Sequence, residues 1–158
     1  MMKIKMALAF LLLFVAGATA EPQGIIIGFR GSQEQFDQSA FEDFAKKRNL
    51  IPFVASPYYF ARVVDKINQH RGYYELYGYS LGAQAVRQVV VHIHQARGHM
   101  PARITTVGAH SKTNVNFAPY GIEFDNYFDA SGRDNRAPGQ HLSVPHDLIM
   151  RYVTDNFN

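Results

Sequence analysis

Residues Tyr73–Val91 (YYELYGYSLGAQAVRQVVV) constrain this chain more than any other stretch. An apolar, aromatic run of strand length (Tyr73, Tyr74, Leu76, Tyr77) leads into Gly78-Tyr79-Ser80-Leu81-Gly82. Ala85, Val86, Val89, Val90 and Ile93 then recur at the three-and-four spacing of a helix. A Gly-x-Ser-x-Gly turn between a strand and a helix is the setting of a nucleophile elbow. Such a turn is sharp enough to strain the serine backbone, and glycines at 78 and 82 remove the Cβ atoms that would collide there. Ser80 Oγ then projects from the strand end, beside the first amides of the helix. The same letters in a plain glycine-rich loop carry no chemistry; the flanking elements on both sides argue for a nucleophile.

The rest of the chain repeats this alternation. Gly24–Phe29 (GIIIGF) reads as a buried strand, ended by a turn at Arg30-Gly31-Ser32. Over residues 33–47, Phe36, Ala40, Phe41 and Phe44 share one side, which predicts an amphipathic helix with Ser32 as its N-cap. Leu50–Ala55 is the next strand. Ser56-Pro57 introduces a helix with Phe60, Val63, Val64 and Ile67 on its face, followed by Gly72. After the elbow helix, which ends near Gly98, Arg103–Val107 and Ile122–Phe128 are strands four and five. A short sixth is expected at His141–Val144, and Pro145 is expected to open a last helix bearing Leu148, Ile149, Tyr152 and Val153. Apolar strands alternating with amphipathic helices predict an α/β fold, a three-layer sandwich around a mostly parallel sheet of five or six strands. The irregular stretches His110–Gly121 and Ala130–Gln140 both follow strands and belong at the carboxyl edge of the sheet, where such folds bind ligands.

The 158 residues fit one domain preceded by a leader. Lys3 and Lys5, the apolar run Ala7–Ala16 and the small residues Ala18-Thr19-Ala20 are the parts of a signal peptide over residues 1–20, leaving 21–158 as the domain. That predicts a secreted or periplasmic protein with no stable membrane insertion after leader cleavage. The basic balance resides largely in the leader: without Lys3 and Lys5, fourteen basic residues face thirteen acidic ones. A near-neutral domain gives no electrostatic footing for nucleic acid. The absence of cysteine excludes disulfide bracing.

A serine hydroxyl needs a base to take its proton. His92 and His94 lie in the elbow helix on different faces and read as solvated; His70 and His99 fall near helix ends. His146 is the candidate base, expected in the first turn of the last helix, where the helix dipole disfavours imidazolium. His141, in the short last strand, and His110, after the fourth strand, are the alternatives. The imidazole in turn requires a carboxylate to fix its tautomer. Asp129 closes the fifth strand, facing the strand-end cleft; Asp125 lies four residues deeper, and Asp134 falls in the following loop. The order Ser80, Asp129, His146 is that of the α/β-hydrolase triad. The amide of Leu81, next to the nucleophile, and Ser32, in the turn after the first strand, are the expected oxyanion donors. Tyr58, Tyr59, Tyr79 and Phe117 are the candidates for apolar walls of a cleft.

Two of these segments resemble a known family. Gly28-Phe29-Arg30-Gly31-Ser32 resembles the FRGS strand end of class 3 (fungal-type) lipases, and Gly78-Tyr79-Ser80-Leu81-Gly82 resembles their elbow, with Tyr79 where that family usually has histidine. The resemblance implies an α/β-hydrolase fold, a small-molecule or lipid-like acyl substrate, and an oxyanion hole formed by Ser32 and Leu81; with amide donors meeting the intermediate's charge, no metal or organic cofactor is expected. The sequence alone leaves open a binding protein on a degenerate hydrolase scaffold, and the same triad acting on thioester or peptide bonds.

Overall fold

Among the described residues there are six strands: β1 (Gly24–Phe29), β2 (Leu50–Ala55), β3 (Tyr74–Tyr79), β4 (Arg103–Val107), β5 (Glu123–Phe128) and β6 (Gln140–His141). A computed structural model of the chain describes residues 20–32, 35–110, 116–132 and 136–157. The strands form one sheet in the order β2-β1-β3-β4-β5-β6, with every neighbouring pair parallel. The leader and Asp134 lie outside the described residues, apart from Ala20. Among the described helices, none is long and apolar enough to cross a membrane.

Four helices cover the two faces: α1 (Gln38–Lys47), α2 (Phe60–Gln69), α3 (Gly82–Gln95) and α4 (Ile149–Asn156). Side chains alternate across a strand. Ile25, Ile27 and Phe29 therefore pack with α2 and α3, while Ile26 packs with α1 and α4. Both faces are buried, which explains why β1 is a continuous apolar run instead of a polar–apolar alternation. Gly28 has a specific packing reason: a Cβ there would lie 2.6 Å from the Phe41 ring. The fully buried Phe41 can thus lie against the sheet, a burial that stabilises the fold by about 1.5–3 kcal/mol.

At the far end of β3 from the elbow, Arg48 makes a bidentate bond to Glu75 (2.7 Å from Nε and 2.5 Å from Nη2). The Tyr73 hydroxyl donates to the same carboxylate at 2.6 Å. Arg48 follows α1, so this buried pair ties that helix to the central strand. Its guanidinium pKa is raised, first by the bond to Glu75, against the opposing effect of burial.

β2 is an open edge with Ile51, Phe53 and Val54 exposed. The Arg30 N–H donates to Ala55 O at 3.1 Å, so residues 51, 53 and 55 turn their backbone groups toward β1. Residues 50, 52 and 54 face outward. Pro52 thus sits where an N–H would otherwise be offered to another strand.

Three expected boundaries are corrected. The first helix begins at Gln38, and its N-cap is Asp37, not Ser32: the Asp37 carboxylate accepts the Ala40 N–H at 2.9 Å. The last strand is only Gln140–His141. The last helix begins at Ile149, because Pro145 opens a single turn in which the Leu148 N–H donates to Pro145 O at 3.1 Å. His146 lies in that turn, three residues before the helix, so the helix-dipole argument for a neutral ring does not apply to it.

Candidate active site

The sheet order reverses direction between β1 and β3: the chain moves outward from β1 to β2, then returns to β3 and continues the other way. A crevice opens at the carboxyl ends of strands at such a point. The two strands flanking it end in Arg30-Gly31-Ser32 and in Ser80.

Ser80 has φ +53°, a left-handed conformation that costs a non-glycine residue about 1–2 kcal/mol. Its backbone is tied down on both sides. The Ser80 N–H donates to Val107 O at 3.0 Å, and Ser80 O accepts the Ala83 N–H at 3.1 Å. The glycines flanking it serve close approach. A Cβ on Gly78 would meet the Ala83 backbone at 2.8 Å, and one on Gly82 would meet Phe29 O at 2.1 Å. A Cβ on Gly78 would also lie 2.8 Å from Gly82 O, so the two glycines crowd each other as well as the neighbouring β1 and α3. The Leu81 N–H has no acceptor among the described residues, and Gly31 is close enough that a Cβ on it would lie 3.3 Å from Ser80 Cβ.

The structure brings Asp129 and His146 together. Asp129 follows β5 and is buried, with its side chain 3% exposed, and its Oδ2 accepts a hydrogen bond from His146 Nδ1. The other oxygen, Oδ1, accepts from the Ser131 N–H at 2.8 Å and from Ser131 Oγ at 2.5 Å. Burial alone would raise the pKa of this carboxyl, but the Ser131 and His146 bonds outweigh it and hold the group below the usual carboxylate value. An ionised carboxylate only accepts, so the ring proton belongs on Nδ1 and the Nε2 lone pair is left free. The loop carrying His146 is anchored to β5 by Leu142 N–H to Phe128 O (2.8 Å) and Ala130 N–H to Val144 O (3.0 Å).

Tyr79 supports the imidazole from below. Its ring stacks on His146 with centroids 5.0 Å apart and planes 26° apart, and its hydroxyl donates to His146 O at 3.1 Å. Burial, then Asp129 and Asp147, push the phenol up to about 12, so it remains a donor at neutral pH. Gly108, at φ +65°, closes the other side: a Cβ there would lie 3.0 Å from His146 Nδ1 and 3.3 Å from Asp129 Oδ2.

Ser80, His146, Tyr79, Gly31, Ser32 and Gln35 line one cavity of about 200 Å³. Among the described residues, no hydrogen bond joins Ser80 Oγ to His146; the two groups share the cavity as neighbours. The other candidates lie elsewhere. Asp125 is paired with Arg103 (Nε 2.9 Å). His141 packs its ring against Phe128, and His110 is exposed beyond the end of β4. His92 and His94 are exposed, while His70 and His99 bond to the turn carbonyls of Tyr73 and Gly72. Phe117 is a core residue packed on Phe124 rather than a cleft wall, and Tyr59 lies exposed under Arg62. Among the described residues, no cluster of His, Asp and Glu could hold a metal.

Sequence reasoning missed Ser131, Gly108 and the support given by Tyr79. Ser131 had a signal, since a serine two residues after an aspartate is an Asx-turn pattern. The other two roles depend on contacts between segments distant in sequence.

No protein-family model matches the chain, and no curated protein matches it in sequence. Solved structures resemble it in fold. RedJ with a PEG molecule bound in its active site is 12% identical, aligned over 84% of each chain with a TM-score of 0.55. YbtT, a type II thioesterase from the yersiniabactin NRPS/PKS biosynthetic pathway, is 8% identical over 87% of this chain and 91% of its own, with a TM-score of 0.54. The RedJ thioesterase from the prodiginine pathway of Streptomyces coelicolor aligns over 58% of this chain, which spans only 42% of that one (16% identity, TM-score 0.44). The six parallel strands, the covering helices and the two fuller likenesses establish an α/β-hydrolase fold.

Proposed function

We propose that the chain is a serine hydrolase that cleaves an ester or thioester by acyl transfer to Ser80. The observation that carries this reading is the meeting, in one cavity, of a serine at φ +53° and an imidazole whose Nδ1 is held by a buried carboxylate. Ser80 Oγ attacks the acyl carbon as His146 Nε2 takes its proton. The Leu81 amide and Ser32 hold the oxyanion. Collapse of the intermediate expels the alcohol or thiol, which receives the proton from His146. Water, deprotonated by the same nitrogen, then attacks the acyl-enzyme, releases the acid and returns the proton to Ser80. Asp129 stays ionised throughout and orients the ring. The negative charge is met by amide donors, so the reaction requires no cofactor.

The FRGS and GYSLG motifs, similar to those of class 3 lipases, support oxygen esters. The description of YbtT as a type II thioesterase supports including thioesters. Residues 1–20 act as an export leader in this reading, supported by Lys3, Lys5, the apolar run and Ala18-Thr19-Ala20, with 21–158 as the secreted or periplasmic catalytic domain. A fluorophosphonate probe should label Ser80 in folded protein, and neither Ser80→Ala nor heat-unfolded protein should be labelled. Absence of labelling in the folded wild type overturns the proposal. Amino-terminal sequencing of exported protein should begin at Glu21.

A further inference from the structure

A cleft of about 490 Å³ shares Gly31 and Ser32 with the cavity at Ser80. Its walls combine apolar surface from Phe36, Val54 and Tyr58 with polar groups from Ser56 and Gln38. Among the described residues lining it, Arg30 is the one that carries a charge. The backbone of Arg30 is fixed by its bond to Ala55 O, while its side chain is exposed and has no carboxylate in ion-pair range among the described residues. The carboxylate nearest in sequence to Gln38 is already engaged: Asp37 caps α1 and lies 3.8 Å from Arg151 Nε. Gln38 begins α1, so the positive end of that helix adds to the same field. The cleft is therefore amphipathic, carries one cation with no ion-pair partner among the described residues, and lies one residue from the point where Gly31 meets Ser80.

We propose that Arg30 is a specificity-determining residue, selecting acyl substrates that carry an anionic group in this cleft. The inference rests on the hydrolase reading above and names the substrate class for the same site. A planar guanidinium with its donors free suits a carboxylate or a phosphate. The aliphatic and aromatic walls suit the carbon chain that joins such a group to the reacting carbonyl.

Two matched ester pairs locate the charge. 4-Nitrophenyl hydrogen adipate against 4-nitrophenyl hexanoate places the anion on the acyl side. 4-Butyryloxybenzoate against its methyl ester places it on the leaving-group side. In one pair, the wild type should favour the anion, and Arg30→Gln should lower the anionic-to-neutral ratio of kcat/KM by about fivefold, the size expected of a solvent-accessible ion pair. Arg30→Lys should restore part of the ratio, and Arg30→Glu should invert it. Unchanged ratios in both pairs, with Ser80-dependent hydrolysis of the neutral esters intact, overturn the anion assignment and leave the hydrolase reading standing. Adipate titrated into Ser80→Ala protein gives a readout independent of turnover: it should shift the Arg30 Nε–H and the Gly31 and Ser32 amide resonances. Shifts at these positions in a wild type that hydrolyses nothing would retain the anion site and overturn the hydrolase. Absence of these shifts overturns the anion site.

Discussion

The ring of Tyr79 lies stacked on the imidazole of His146, and the Tyr79 hydroxyl bonds to the backbone carbonyl of that same histidine. One side chain therefore fixes both the plane of the ring and the height of the loop that carries it. Tyr79→Phe keeps the stack and removes the tether, a loss of about 0.5–1.5 kcal/mol for one hydrogen bond. Its kcat should fall about three- to tenfold, more than that modest loss of stability explains, with KM nearly unchanged. Tyr79→Ala should lose more in kcat and about 3–5 kcal/mol in stability, because a large buried ring is removed. If kcat in Tyr79→Phe falls only in step with stability, Tyr79 is packing and does not position the base.

Asp129 links the site to stability. Its pKa is below the ordinary value in the folded state because the Ser131 and His146 bonds outweigh burial. A depressed carboxyl pKa contributes stability that is present above the unfolded value, about 3.9, and is lost as pH falls through the lower folded value. Ser131→Ala removes the hydroxyl bond and leaves the one from the residue's backbone N–H. The folded-state pKa should rise, read by NMR of the Asp129 carboxyl carbon, and the gain in urea stability between pH 2 and pH 5 should shrink. Asp129→Asn should lower kcat by about 10⁴-fold, through loss of the correct imidazole tautomer.

Gly108 and Gly121 form a matched pair. Both have φ +65°, but a Cβ at 121 meets nothing within 4 Å, whereas one at 108 meets His146 and Asp129. Alanine at either position should cost about 1–2 kcal/mol of backbone strain. Gly108→Ala alone should also displace the imidazole and depress kcat. Equal activity in the two variants, measured well below their unfolding temperatures, would show that the ring yields without consequence.

The Arg48–Glu75 pair sits away from the site and tests the scaffold. Arg48 is 13% exposed and Glu75 only 1%. Glu75→Ala leaves a buried guanidinium without its partner and should cost about 3–5 kcal/mol in urea unfolding. The double variant Arg48→Met with Glu75→Leu should recover much of that loss. A cost for the double variant equal to the sum of the two single ones would show that the groups act independently.

The sequence displays much of the fold because the first two strands are short apolar runs bounded by turn residues and each helix has one apolar face. Leu50–Ala55 and Arg103–Val107 have the bounds their composition indicates. The elbow was also legible, since two glycines around one serine between a strand and a helix meet a geometric need visible locally. Helix starts were less so. Ser32 and Asp37 are both good caps, and only the fold determines that Asp37 is the one used. Pro145 looks like the start of a helix, yet the bond of Leu148 to it closes a single turn, and the helix begins afterwards. The placement of Asp129 at the end of a strand could be read, but its neighbours could not. Gly108, after β4, and Tyr79, at the end of β3, acquire their contacts with His146 only when separate segments meet.

Ser80 rests on strands and helices from the earlier part of the chain, while the imidazole beside it arrives on a late loop anchored through Phe128 and Val144. A ribosome delivers these parts in order. The hydroxyl-bearing corner is made well before its proton acceptor, so under the proposed chemistry the nascent enzyme stays inert until the segment carrying His146 docks.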